Sequence, residues 1–347
     1  MRRSSVIAAV VFFVLGAFTA CAQDEPKPAD IIDAANPPGS LVVYSGRSES
    51  LVGPIVAQFE DATGIDVSAK YGSTAEIAAT LLEEGENSPA DVFFAQDPGG
   101  LGAVAKDGML STLPNEITDL TPQWARSPEG LWVGVSGRAR VLVYNSETLS
   151  EADLPQSIFD LTNQQWRGRI GWAPTNGSFQ AMVTAMRVLW GEEKTTEWLK
   201  GIQANEPTSY PNNTTQVAAA AAGEIDVGLV NHYYLHRFLQ EEGDAFPARN
   251  YHPTAGGPGS LVMVAGAGIL QTSKNQENGE KFLKFMLSQV GQQYFAGQTY
   301  EYPLVEGVLT NRLLTPIDEI NRPNVDMADL VDLEGTQRLL RELGILE

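Results

Sequence analysis

The sequence predicts an α/β protein of two lobes that share two chain crossings and close by a hinge around a cleft. Three observations carry this expectation. Short apolar runs alternate with stretches of helical periodicity in units of about 30 residues, the pattern of a mainly parallel sheet with helices on both faces. One strand-like stretch, residues 132–144, is far longer than its neighbours. A later one, residues 261–265, follows the glycine-rich approach Ala255-Gly256-Gly257-Pro258-Gly259. Long strands at two such places suit a chain that leaves one lobe and later returns. The same alternation is compatible with a single doubly wound domain carrying insertions.

The elements follow in order. Leu41-Val42-Val43-Tyr44 is a continuous apolar run of strand length. Val52, Ile55, Val56 and Phe59 then recur at helical spacing, and Gly64 stands where a helix ends on a left-handed glycine. Residues 65–69 form a second strand. Ser73 with Glu76 three residues later makes a capping box, ahead of Ile77 and Leu81 on one helix face. Pro89 breaks the chain before a third strand, Asp91-Val92-Phe93-Phe94. Beyond the long strand, Arg169-Ile170-Gly171-Trp172 is strand-like, residues 179–190 are helical and residues 225–230 form a strand.

Composition removes several function classes. The 347 residues carry 23 basic and 43 acidic side chains, for a net charge of -20, which argues against nucleic acid or an anionic membrane surface as partner. A hydrophobic content of 43% is that of an ordinary globular chain and excludes wholesale disorder and a multi-span membrane protein. The single cysteine forbids an internal disulfide or a thiolate-rich metal site, and three histidines, His232, His236 and His252, leave little for a multi-histidine zinc centre. That cysteine has its own reading. Arg2 and Arg3 precede an apolar run over residues 6–18 and then Thr19-Ala20-Cys21, the layout of an export signal that is too short to span a bilayer. Cys21 at the cut site resembles a bacterial lipobox, so residues 1–20 are expected to be removed and Cys21 to carry a lipid. Residues 21–40, with Pro26, Pro28 and Asn36-Pro37-Pro38-Gly39-Ser40, suit a flexible tether.

The most unusual local feature is Tyr233-Tyr234, inside Asn231-His232-Tyr233-Tyr234-Leu235-His236. It follows a buried strand and opens a helix, and at such a turn both phenols can swing toward one cleft. A phenolate oxygen is a hard anionic donor suited to ferric iron, and the metal would have to displace a proton that ordinarily leaves near pH 10. A tyrosine pair alone is equally compatible with packing. Thr175-Asn176-Gly177-Ser178 and Asn213-Thr214-Thr215-Gln216 (the latter of capping-box form) stand at helix starts, where free N–H groups either attract an anion or are simply capped. Glu49, Gln96 and Asp97 fall near the carboxyl ends of strands, where ligands gather in open α/β sheets. No G-x-S-x-G elbow, P-loop or H-E-x-x-H is present.

Together these residues resemble the ferric-ion-binding extracellular proteins of bacterial ABC importers. The markers, from residue 41 to the end, are Val43-Tyr44-Ser45-Gly46-Arg47, Ser88-Pro89-Ala90-Asp91-Val92-Phe93, Ser136-Gly137-Arg138, Arg169-Ile170-Gly171, Gly223-Glu224-Ile225-Asp226, the tyrosine stretch and Glu301-Tyr302-Pro303-Leu304. The resemblance implies a transferrin-like, type II periplasmic-binding-protein fold. Its expected lobes are residues 41–137 plus about 260–313, and residues 138–259 plus about 314–347. It implies Tyr233 and Tyr234 as ferric ligands, with Glu49, Asp97 or Gln96 from the opposite lobe. Where relatives often have a histidine, this chain has Ser48; where others have a tyrosine, it has Glu49. A frequent glutamate is Gln96 here, and a further tyrosine is Phe179. A helper anion such as carbonate, citrate or phosphate would fall on Asn176, Gly177, Ser178, Asn213 and Asn231, although Asp97 would repel a phosphate. The implied role is non-enzymatic: a monomeric, lipid-anchored, extracytoplasmic protein that captures ferric iron for an ABC permease. The alternatives are the same fold binding an organic or anionic solute without metal, and a secreted hydrolase.

Overall fold

Nine strands form one hydrogen-bonded system within residues 39–347, the part of the chain that the computed structural model describes. The expected signal segment, Cys21 and nearly all of the expected tether lie outside those residues. The chain runs β1 (Ser40–Ser45), α1 (Glu49–Thr63), β2 (Asp66–Tyr71), α2 (Thr74–Glu84), β3 (Val92–Ala95), α3 (Pro98–Lys106) and a short α4 (Asn115–Thr118). The long β4 (Val133–Asn145) leads to β5 (Ile170–Trp172), α5 (Gly177–Ala204), β6 (Thr208–Ser209), α6 (Asn213–Ala221), β7 (Val227–Asn231), α7 (Tyr233–Glu242) and β8 (Ala248–Tyr251). β9 (Val262–Ile269) is followed by α8 (Gln276–Met286), α9 (Gln289–Gln298) and, after an extended stretch, α10 (Leu333–Glu342).

Strand order is β2-β1-β3-β9-β4-β7-β5-β6, with β8 also on β4. β4 joins the two lobes of the fold. Its residues 133–139 pair with β9, and from Arg140 onward it pairs with β7 and β8. All of β4 is buried, its polar residues Ser136, Arg138, Arg140 and Asn145 included, which is why it shows no alternation of apolar and exposed polar residues. The sheet is mixed where a mainly parallel one was expected. β1 is parallel to β2 and β3, and β5 to β6 and β7, but β4 and β9 are antiparallel to each other and to their flanking strands β7 and β3. A chain that crosses out on one strand and returns on its neighbour must reverse direction, and strand-helix alternation carries no record of that reversal.

Local sequence explains the ends of the elements. Gly64 ends α1 at φ 70, a left-handed conformation that glycine adopts without a Cβ penalty. Ser73 and Glu76 form the expected reciprocal capping box at the start of α2. The helix expected over residues 179–190 begins at Gly177 and continues to Ala204 across a break at Gly191 (φ 82, ψ 167). At α6 the cap is Asn212, whose side chain accepts the Thr215 N–H at 3.0 Å, so the expected box opened by Asn213 does not form. Asn213 is the first helical residue, with its side chain buried and released for other contacts. The first lobe's core centres on Phe59, edge-on to Phe282 at 5.2 Å. The second buries Trp166, Trp198 and Met182. Burying such side chains stabilises each lobe by about 1.5–3 kcal/mol apiece.

Candidate functional site

Helices α3, α5 and α7 follow the carboxyl ends of β3, β5 and β7, and Asp97, Ser178, Asn213, Asn231 and the arginines of β4 are buried there. Tyr233 and Tyr234 open α7 directly after β7. Their rings stack at 4.3 Å between centroids, 29° apart, so the turn does turn two consecutive side chains to one side. Tyr233 is fully buried and its phenol oxygen has no hydrogen-bond partner. Burial raises the Tyr234 phenol well above its ordinary pKa, the adjacent Tyr233 phenol adds to this, and Arg138 and Arg47 pull the other way. The turn is held from behind by His232, whose Nδ1 accepts the Ala139 N–H of β4 at 3.1 Å and whose Nε2 donates to the Tyr300 carbonyl at 2.7 Å. Both its nitrogens are thereby committed. All three histidines line a single cavity of about 310 Å³ beside α7, with Asp244, Arg249 and Tyr300.

Around the phenols lie three fully buried arginines. Arg47, beyond the end of β1, makes a two-pronged ion pair with Glu301 at 3.1 and 2.5 Å, and Ser136 donates to the same carboxylate. Burial alone would raise the Glu301 pKa, but Arg47 outweighs it and holds the group below the usual range. Arg138 and Arg140 stand two apart on β4, hence on one face of the strand. Arg138 donates to Ser178 Oγ at 3.3 Å, and Arg140 donates to Asn231 Oδ1 at 3.0 Å and Asn213 Oδ1 at 3.4 Å. Burial, then the like charge of Arg138, pushes the Arg140 guanidinium down to about 9. Its Nε and Nη2, Arg138 Nε and Asn213 Nδ2 have no partner. Donors left without acceptors in so buried a place favour an anion or an anionic ligand.

Of the residues singled out from sequence, most meet in one network. Ser178 Oγ accepts from Gln96 Nε2 at 3.1 Å and from Asn231 Nδ2 at 2.9 Å, while the Ser178 N–H donates to Asn176 at the start of α5. Asp97 caps α3 through Oδ1, which accepts the Gly100 N–H at 3.3 Å. Its Oδ2 is buried without a partner and lies against Gly177, where a Cβ would stand only 2.5 Å away. Burial raises the Asp97 pKa, with Arg138 opposing. Glu49 is placed differently. It is exposed in the first turn of α1, and among the described residues no hydrogen bond or ion pair joins it to the network. Its charge acts instead on Tyr71, whose pKa is raised by burial first and by Glu49 second. Phe179 offers no oxygen and packs edge-on against Trp172. The buried arginine pair on β4 was missed in sequence. Its signal was there in Ser136-Gly137-Arg138-Ala139-Arg140, two cations at strand spacing inside an apolar run.

Among the described residues, no group of three or more His, Cys, Asp or Glu is placed to hold a metal ion. The chain matches the model of the bacterial extracellular solute-binding proteins over residues 87–325. It is 34% identical over 329 residues to the major ferric iron-binding protein of Neisseria meningitidis serogroup B, covering 91% of this chain and 97% of that one. It is 33% identical over 316 residues to the Fe(3+)-binding periplasmic protein of Serratia marcescens, covering 90% and 93%. Among solved structures, iron-bound HitA from Pseudomonas aeruginosa superposes with a TM-score of 0.85 at 35% identity, over 88% of this chain and all (100%) of that one. A Trichodesmium protein in complex with iron and citrate gives 0.77 at 28% identity, over 89% and 100%. By sequence and by fold, this chain belongs to the bacterial extracellular solute-binding proteins, with a type II two-lobe architecture and a binding role in place of a catalytic one.

Proposed function

We propose that this protein captures ferric iron outside the cytoplasm and delivers it to an ABC permease. The observation that carries the reading is the stacked, buried Tyr233–Tyr234 pair, with an unpartnered phenol oxygen; among the described residues no group of three or more His, Cys, Asp or Glu is placed to hold a metal instead. Two phenolates are hard donors matched to a hard trivalent ion. The ferric-iron-binding names of the relatives support the same cargo. Asp97 is the better placed of the acidic candidates to add an oxygen from the first lobe, because its Oδ2 is buried and free, whereas Glu49 is exposed. Gln96 serves as a hydrogen-bonding neighbour through Ser178. A helper anion, carbonate or citrate in preference to phosphate, would be held by Ser178, Asn213 and Asn231 together with Arg138 and Arg140, and by the amides at Asn176 and Gly177. The protein would act as a monomer. Export and a lipid on Cys21 are supported by the N-terminal sequence alone.

The test is optical. Ferric iron added to the metal-free protein should produce a visible phenolate-to-iron charge-transfer band that is absent in the Tyr233→Phe/Tyr234→Phe variant. A protein that stays colourless at neutral pH, with no iron on elemental analysis, overturns the reading. The unpartnered guanidinium donors of Arg140 favour one second reading, an anionic organic solute bound without metal. Native mass spectrometry of the purified protein separates the two by the mass of what is bound.

A further inference from the structure

The stretch of residues 327–342, the last turn before α10 and α10 itself, lies between two helices of different lobes, α3 and α5, and treats them differently. Toward α5 it is bonded. Thr336 and Thr184 hydroxyls meet at 2.7 Å, Arg187 donates to Thr336 at 3.0 Å and pairs with Asp332 at 2.9 Å, and Gln337 donates to Gln180 at 3.1 Å. Leu340 is fully buried in the cluster that contains Met182, Val183 and Met186 of α5. Toward α3 the contact is apolar, with Val331 and Leu333 half-buried. Val331 sits on Gly102, where a Cβ would come within 2.1 Å of the Val331 Cβ, and Leu333 sits on Gly99, with 3.3 Å to its Cβ. Met327 and Leu330, both fully buried, share one apolar cluster with Leu101 and Val104 of α3 and with Ala181 and Ala185 of α5. Apart from the exposed Lys106–Glu334 pair at 3.8 Å, no ion pair among the described residues crosses this seam, and an exposed pair of that kind contributes little.

The difference has a mechanical consequence. Separating the segment from α5 would strand buried hydroxyl, amide and guanidinium groups, which is costly. Separating it from α3 exposes only apolar surface and glycine backbone, a contact that breaks and remakes without unpaired polar groups. α3 and α5 are also the helices whose N-termini face each other at Asp97 and Gly177, so they part when the lobes do. We propose that Val331 and Leu333, docked on the glycine face of α3, form a closure latch that slows lobe opening and so retains the bound solute. For iron retention this rests on the ferric reading above; for lobe closure it does not.

Gly102→Ala tests it, because alanine favours the helix itself while its methyl evicts Val331. Val331→Gly loosens the same seam without a clash and serves as the second variant should the first not fold. Both variants should release ferric iron to a competing chelator about tenfold faster than the unaltered protein, with the charge-transfer band unmoved. In metal-free form both should give a larger radius of gyration in solution X-ray scattering. Release and scattering indistinguishable from the unaltered protein in both variants overturn the latch, and so does a changed radius with unchanged release. If the unaltered protein takes up no ferric iron, the cargo assignment fails, and the metal-free scattering still decides whether the latch exists.

Discussion

The two sides of the cleft are built on different chemistry. The α7 side supplies two phenols, stacked and buried, on a turn pinned by His232. The α1 and α3 side supplies a free Asp97 oxygen, an amide at Gln96 and an exposed Glu49. β4 passes between the sides and carries Arg138 and Arg140 into the middle. The lesson is a division of labour. On the proposed ferric reading, one lobe would hold the donors specific to a hard metal, the other would add oxygens, and the shared strand would supply positive charge for an accompanying anion.

The largest expected effect breaks the phenol side. Tyr233→Phe/Tyr234→Phe should abolish the charge-transfer band, whereas Phe substitution of either tyrosine alone should weaken ferric affinity by at least about a hundredfold, as read by chelator competition. Next is the pin beneath the centre. Glu301→Gln leaves Arg47 buried without its counter-charge and should destabilise the fold by about 3–5 kcal/mol in denaturant unfolding. The pair has a definite pH sign. Because the folded pKa of Glu301 lies below its ordinary value, its contribution is present above about pH 4.3 and is lost as pH falls through the lower folded value.

Removing charge from the shared strand should have an intermediate effect. Arg140→Met should lower ferric affinity measured with carbonate or citrate by about 10–100-fold, and should erase most of the difference between affinities with and without the anion. Acid acts on the phenol side through proton competition. Tyr234 holds its proton more tightly than an ordinary tyrosine, so the metal must displace it, and affinity should fall by up to about a hundredfold per unit decrease in pH if both phenols ionise on binding. Titrations at several pH values give the slope. The smallest effect belongs to the exposed carboxylate: Glu49→Gln should change ferric affinity less than about fivefold. A larger loss would show that α1 turns its first residue into the cleft on binding, and the comparison of the two sides would need redrawing.

Much of the fold was legible because its signals are local. The apolar runs at β1, β3 and β4, the Gly64 stop and the Ser73–Glu76 box each depend on a few neighbouring residues. The tyrosine pair was legible for the same reason, as two adjacent residues at a strand-to-helix turn. The network around it was not, since Arg47 meets Glu301 across 254 positions and Gln96 meets Ser178 across 82. The cap at α6 was misplaced by one residue, Asn212 for Asn213, because two adjacent asparagines are equal candidates until one is buried.

By itself, then, the sequence determined the alternation of strands and helices, the long shared strand, the export-like N-terminus and the phenol pair, all of them properties of short stretches or of the one chain direction. Only the tertiary structure decided that β4 and β9 run antiparallel, that Glu49 stays outside while Asp97 goes in, and that two arginines of β4, with no direct salt bridge among the described residues, are buried beside the phenols. These depend on which distant residues exclude water from one another. Burial sets the ionisation of Tyr234, Arg140 and Asp97, and burial is a property of the packed chain.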